Sequence, residues 1–146
     1  AEQRYLDGLR LCPPNAIADL GPMHNQLGIL YKNVGQIDQA REQYEKAAQH
    51  FEKSGNRIHA GTTRYNMSLM YEQSAQRAGA DAKEAATPAE QAQHCATQRD
   101  LLERAKAYAE AALRDFQHYQ GRAAADEADA RAQIADIEQA LEELSR

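Results

Sequence analysis

Tryptophan is absent from this 146-residue chain, which holds only two phenylalanines, two cysteines, four prolines and eight glycines. So few aromatic and turn-forming residues leave little from which to build the short strands and tight hairpins of a β-sandwich or barrel. Cysteines at positions 12 and 95 alone make no disulfide framework, so a reducing, cytoplasmic setting is expected. No apolar run approaches the ~20 residues of a membrane span. No signal peptide is visible. Positive charge is short as well: 17 Lys and Arg stand against 22 Asp and Glu, a net charge of −5. That balance argues against nucleic acid as the main partner, and no membrane partner is expected. A phosphate loop is missing too, because the glycines are scattered and Gly-Lys-Ser/Thr never occurs.

What the chain has in quantity is alanine, at 29 positions, of which 22 lie at or after Ala75. With 42% hydrophobic and 27% charged residues, the composition is that of an ordered, water-soluble helical chain rather than a disordered one. Few core residues are large, so the helices must approach closely through small side chains. Acid is concentrated at the end: residues 122–146 carry seven acidic and three basic side chains. A solvated helix face accounts for this.

A repeat runs through the chain. Leu27, Gly28 and Tyr31 recur as Met67, Ser68 and Tyr71, a shift of 40. Ala40, Tyr44, Ala47 and Phe51 share their spacing with Ala105, Ala109, Ala112 and Phe116, and Ala1, Tyr5 and Gly8 repeat its first part. The pattern suits a helical hairpin. Leu27, Gly28 and Tyr31 fall on one helix face, and the small residue lets a second helix approach to about 8–10 Å. Ala40 and Ala47 leave room on that second helix, and Tyr44 fills the gap between them. Gly35 stands in the link, where a left-handed backbone is often needed. Each hairpin leaves an apolar side uncovered and needs neighbours to stack on.

His24, Leu27, Gly28, Tyr31, Gly35, Ala40, Tyr44 and Ala47 resemble the tetratricopeptide repeat, with His24 where that family often has Trp and Glu52 at its Pro position. In the N-terminal fragment, Ala1, Tyr5, Gly8 and Pro13 fall in register. In the second copy Arg64 replaces the large residue and an insertion splits the hairpin. The spacing of 39–40 is similar to that of the longer, kinesin-light-chain-like variants. The resemblance covers roughly residues 1–77 and 99–121. It implies an all-α fold of stacked antiparallel hairpins in a right-handed superhelix, ended by a C-terminal capping helix. Residues 1–14 would be the second helix of a truncated repeat, 16–55 a first full repeat, 57–121 a second repeat with an insertion near 77–98, and 122–146 the cap. Residue 1 would then stand mid-repeat, so the chain is expected to be a piece of a longer array.

Six helices are expected, over 1–11, 16–34, 37–54, 57–77, 88–119 and 122–144. Pro22 either bends the second or marks its start. Thr87-Pro88-Ala89-Glu90 has the form of a helix start, with Thr as N-cap and Pro in the first turn. Residues 78–98 lack large apolar side chains and are expected in part to be mobile or to project as a helical extension. In the last helix Ala130, Ile134, Ile137, Leu141 and Leu144 form one narrow apolar seam. It either seats a cap on the last hairpin or makes a coiled-coil homo-oligomer.

Catalytic and metal signals are weak. His94-Cys95 are adjacent and point to different sides of a helix, and no second pair has ligand spacing. His50, His59 and His118 lack a paired nucleophile or carboxylate, and Glu45, Glu52 and Glu72 read as solvated charges. No enzymatic activity, cofactor or metal is expected.

The resemblance implies that the first helices of successive hairpins line a concave, ligand-binding groove. Its outward positions are Asn25, Ile29, Lys32 and Asn33 on one helix, and Tyr65, Leu69, Glu72 and Gln73 on the next. Asn66 lies beside them and either holds a peptide backbone, since an amide both donates and accepts, or bonds its own neighbours. Lys32 alone makes no basic clamp for a C-terminal carboxylate. The function implied is a protein-interaction module that binds a peptide or partner protein as part of a larger protein. The alternative is a structural spacer or oligomerisation segment of a regulatory or sensor protein.

Overall fold

A computed structural model describes residues 2–11 and 17–146. The expectations for Ala1, Cys12, Pro13 and Pro14 lie outside them. The described residues form six helices and no strand: α1 (Glu2–Leu11), α2 (Ile17–Asn33), α3 (Ile37–Lys53), α4 (Arg57–Glu84), α5 (Pro88–Gln117) and α6 (Ala124–Leu144). The chain is all-α. None of these helices is long and apolar enough to cross a membrane.

The links are short and chemically specified. Gly35 and Gly55 adopt φ of 79° and 78°, a region that costs other residues a Cβ clash. In both links the next amide closes the preceding helix end, Gln36 N–H onto Tyr31 O (2.9 Å) and Asn56 N–H onto Phe51 O (2.7 Å). Thr87 caps α5 reciprocally with Glu90: the hydroxyl accepts from Glu90 N–H, and the Glu90 carboxylate accepts from Thr87 N–H. Pro22 lies inside α2 and is neither its start nor its end.

Glycine sets how closely the helices lie. A Cβ at Gly28 would come within 2.7 Å of the Tyr44 ring, and one at Gly21 within 2.8 Å of Phe51. Gly61 sits on Phe116 in the same way, at 2.7 Å. Gly21 and Gly61 differ by 40 positions and Phe51 and Phe116 by 65, so the α4–α5 pair repeats the α2–α3 pair with 25 extra residues between. Those residues lengthen both helices. Where α2 and α3 have 17 residues each, α4 has 28 and α5 has 30. At 1.5 Å per residue the longer pair reaches about 15–20 Å further. Residues 78–98 therefore belong to a helical extension: α4 runs to Glu84, well past the expected end at 77, and only residues 85–87 leave helix. Ala75, Ala78 and Ala82 are buried along it, so small side chains alone hold it together.

The main core gathers Ala40 and Tyr44 of α3, Met67, Met70, Tyr71 and Ala75 of α4, Leu102 and Ala105 of α5, and Ile137 of α6. Leu141, Leu144 and Ala140 pack against it. The α6 seam is thus seated on its own chain, with Ala130 and Ile137 fully buried. The helix begins at Ala124 rather than 122, after a turn in which Gln120 and Gly121 both take positive φ.

Gly28→Ala tests the close approach. The added methyl meets the Tyr44 ring and should cost about 1–3 kcal/mol of stability in urea unfolding, with part of the loss recovered on adding Tyr44→Leu.

Candidate binding surface

Polar bonds join alternate helices. Between α2 and α4, the Thr63 hydroxyl donates to Asn25 Oδ1 (3.3 Å). Between α4 and α6, the Gln133 amide donates to the Glu72 carboxylate (2.5 Å). Between α3 and α5, Tyr108 donates to Glu45 (2.9 Å), and its ring stacks on Tyr71 at 5.7 Å. So α2, α4 and α6 form a row linked by single polar bonds, and one further bond links α3 to α5.

The positions expected to line a groove are distributed along that row. Asn25 is bonded to Thr63 rather than free, and Ile29 rests on the main core. Lys32 is half-buried and Asn33 exposed in the last turn of α2. On α4, Tyr65, Asn66 and Leu69 are half-buried and Gln73 is exposed. Tyr65 packs against the cluster of Ala112, Phe116, Ala123 and Ala130, which places it between α4 and α6. Asn66 joins neither of the bonds that tie α4 to its neighbours.

Two features escaped sequence reasoning. First, α6 contributes carboxylates to this surface. Burial raises the Tyr65 phenol above its ordinary 10.0, and the charges of Asp129, Glu72 and Asp136 raise it further. Asp129 and Asp136, both exposed on α6, therefore lie within reach of Tyr65 by their charge. Among the described residues no cation forms an ion pair with any of the three carboxylates. Second, the row continues past Gln73 into a cleft of about 440 Å³ lined by Gln76, Gly79, Ala80 and Lys83 of α4, Gln98 of α5, and Ala140, Glu143 and Leu144 of α6. It opens where the α4–α5 extension overhangs the end of α6. Helical periodicity from Tyr65, Leu69 and Gln73 to Gln76 and Ala80 is the signal that could have found it.

The glutamates read as solvated charges are bonded. Glu45 accepts from Tyr108 and Glu72 from Gln133, and Glu52 pairs with Arg64 (2.6 Å). Arg64, which replaces the repeat's large residue, also pairs with Asp115, and Arg57 reaches the same carboxylate at 3.3 Å. Asp115 is 2% exposed, so this network locks α3, α4 and α5 at one end. Tyr119 adds a tether there, donating to Gly55 O (3.0 Å) and accepting from Arg57 N–H (3.3 Å).

Among the described residues no three His, Cys, Asp or Glu side chains converge as a metal site. Comparison with known proteins returns nothing: no family model, no curated protein and no solved structure matches this chain.

Two measurements test this geometry. Asp115→Ala strands Arg64 and should cost about 3–5 kcal/mol, whereas Glu52→Gln on the exposed arm should cost under about 1 kcal/mol by the same urea titration. In a tyrosine-labelled NMR titration Tyr65 should deprotonate above 10.0. Negative charge opposes formation of the phenolate, so Asp129→Asn with Asp136→Asn should bring its midpoint down. An unchanged midpoint would place those carboxylates elsewhere.

Proposed function

We propose that the chain is a protein-interaction module of the tetratricopeptide type, whose α2–α4–α6 side receives a peptide segment of a partner protein. The observation that carries this reading is the cleft between α4 and α6, continuous with the row of Tyr65, Asn66, Leu69 and Gln73. Support for the repeat class comes from the glycine-on-ring contacts recurring in both hairpins and from alternate helices bonded in a row. In this reading the hairpins continue a right-handed superhelix, with α6 standing as the first helix of a further hairpin and capping the array.

The surface also points to a partner chemistry. Glu72, Asp129 and Asp136 surround Tyr65, and Glu143 lines the cleft with Lys83 as its one cation. A segment carrying Lys or Arg would meet unpaired carboxylates, while an apolar anchor enters between Ala80, Ala140 and Leu144. The free amide of Asn66 would serve the peptide backbone. Such a module acts by binding, without chemistry of its own.

A random-peptide display screen against the whole chain tests this. Recovered sequences should be enriched in basic residues flanking an apolar one. Tyr65→Ala with Asn66→Ala, and separately Ala80→Glu across the cleft, should each weaken the selected peptides about tenfold or more. Asp129→Asn with Asp136→Asn should weaken them and flatten their salt dependence. Selected peptides indifferent to all three changes would leave the spacer role in place of the binding one.

A further inference from the structure

We propose that the stacked pair His24–His50 is an acid-sensitive joint, which loosens the α2–α3 hairpin when the imidazoles take up protons. The rings come from facing helices, with centroids 5.4 Å apart and planes 1° from parallel. His24 Nδ1–H donates to Gln43 Oε1 at 2.7 Å, which fixes its neutral tautomer and leaves Nε2 to receive a second proton. His50 Nδ1 is buried and has no hydrogen-bond partner. A proton added to that nitrogen becomes a donor without an acceptor. Stacked neutral rings are compatible neighbours; stacked imidazolium ions repel.

Among the described residues the surroundings supply no adequate counter-charge. On α3, Lys46 and Glu42 face His24, and they are already paired with one another at 2.6 Å. Lys53, also on α3, faces His50. From α4, His59 lies across the Phe51 ring at 5.3 Å. From α1, the contact with α2 is apolar, Gly8 against Met23. Among the described residues two lysines and one carboxylate thus surround a pair that would itself become cationic. Nor can the helices slide apart cheaply, since Gly21 lies directly on Phe51 beside the pair.

Burial pushes both imidazoles below their ordinary 6.5, with Lys46 lowering His24 further and His24 and Lys53 lowering His50; the Gln43 bond and Glu42 act in the opposite sense on His24. The unfolded chain therefore takes up protons first. The stability that the neutral pair contributes is complete above 6.5 and is lost progressively as pH falls from there through the lower folded values. Loosening α2 would also release the Asn25–Thr63 bond and withdraw Ile29 from the core.

Hydrogen exchange on the whole chain, corrected for intrinsic rates, decides it. From about pH 7.5 to about pH 5, amides of α2 and of the second half of α3 should lose about tenfold in protection while α5 keeps its own. His24→Gln with His50→Gln should abolish that selective loss. Should the double variant not fold, NMR titration of the unmodified chain serves instead, with both midpoints expected below 6.5. Equal loss in α2 and α5, loss that persists in the double variant, or midpoints at or above the ordinary value would overturn the proposal.

Discussion

The approach of a bare backbone to an aromatic ring is the contact on which the helix arrangement depends. Gly21 on Phe51, Gly28 on Tyr44 and Gly61 on Phe116 leave no space for a methyl group. With so few aromatic residues in the chain, each ring must fill a large share of the space between two helices, and it can do so only where the opposite helix offers no side chain. This fixes both the distance between helices and their axial register. Ser68 and Ala109 occupy the places of Gly28 and Tyr44 in the second hairpin, where both are fully buried. There the large residue is given up and the small one grows, so the summed volume across the contact is partly conserved. Further along, alanine replaces rings altogether, and Ala75, Ala78 and Ala82 carry α4 past the end of the shorter hairpin.

Such narrow contacts do little to prevent one hairpin from rotating on the next. Polar ties between hairpins supply that constraint. Asp115 collects Arg57 and Arg64 at one end, Tyr108 reaches Glu45 near the middle, and Gln133 reaches Glu72 on the opposite side. A buried carboxylate is stabilising only when its partners are held in place, because the Coulombic gain must offset desolvation. Arg64 meets this condition by bridging Asp115 and Glu52 at once. The same residue that weakens the sequence match to a hydrophobic repeat position is the one that pins three helices together.

Legibility followed the range of the interactions. The link at Gly35 and the helix start at Thr87–Glu90 are local, set by residues within one turn of each other, and they read directly from the chain. The seam of Ile137, Leu141 and Leu144 was legible as a stripe, but periodicity cannot say whether a stripe meets its own chain or a copy. The end of α4 stayed open between helix and loop because residues 78–84 have no bulky periodic face, and a pair of alanine-rich helices needs none. Least legible were the partners of Glu45, Glu52 and Glu72, which lie 63, 12 and 61 residues away along the chain. A glutamate on a helix looks the same in sequence whether it is solvated or bonded across an interface.

That last ambiguity bears most on the binding surface. Reading α6 as a remote acidic cap separates its charge from the groove, whereas packing Tyr65 against Ala123 and Ala130 brings the two together. Position then changes what the charge means. On a solvated face, Asp129 and Asp136 would be screened over about 8 Å at physiological salt and would serve chiefly solubility. Both are exposed, yet their charge reaches a half-buried phenol, and Glu72 from the neighbouring helix adds to the same field. A field of one sign discriminates among partners by repulsion as much as by attraction. In the proposed binding role an acidic segment would be turned away even if its apolar residue matched the cleft, so the carboxylates would select by charge what the cleft of small side chains would select by shape.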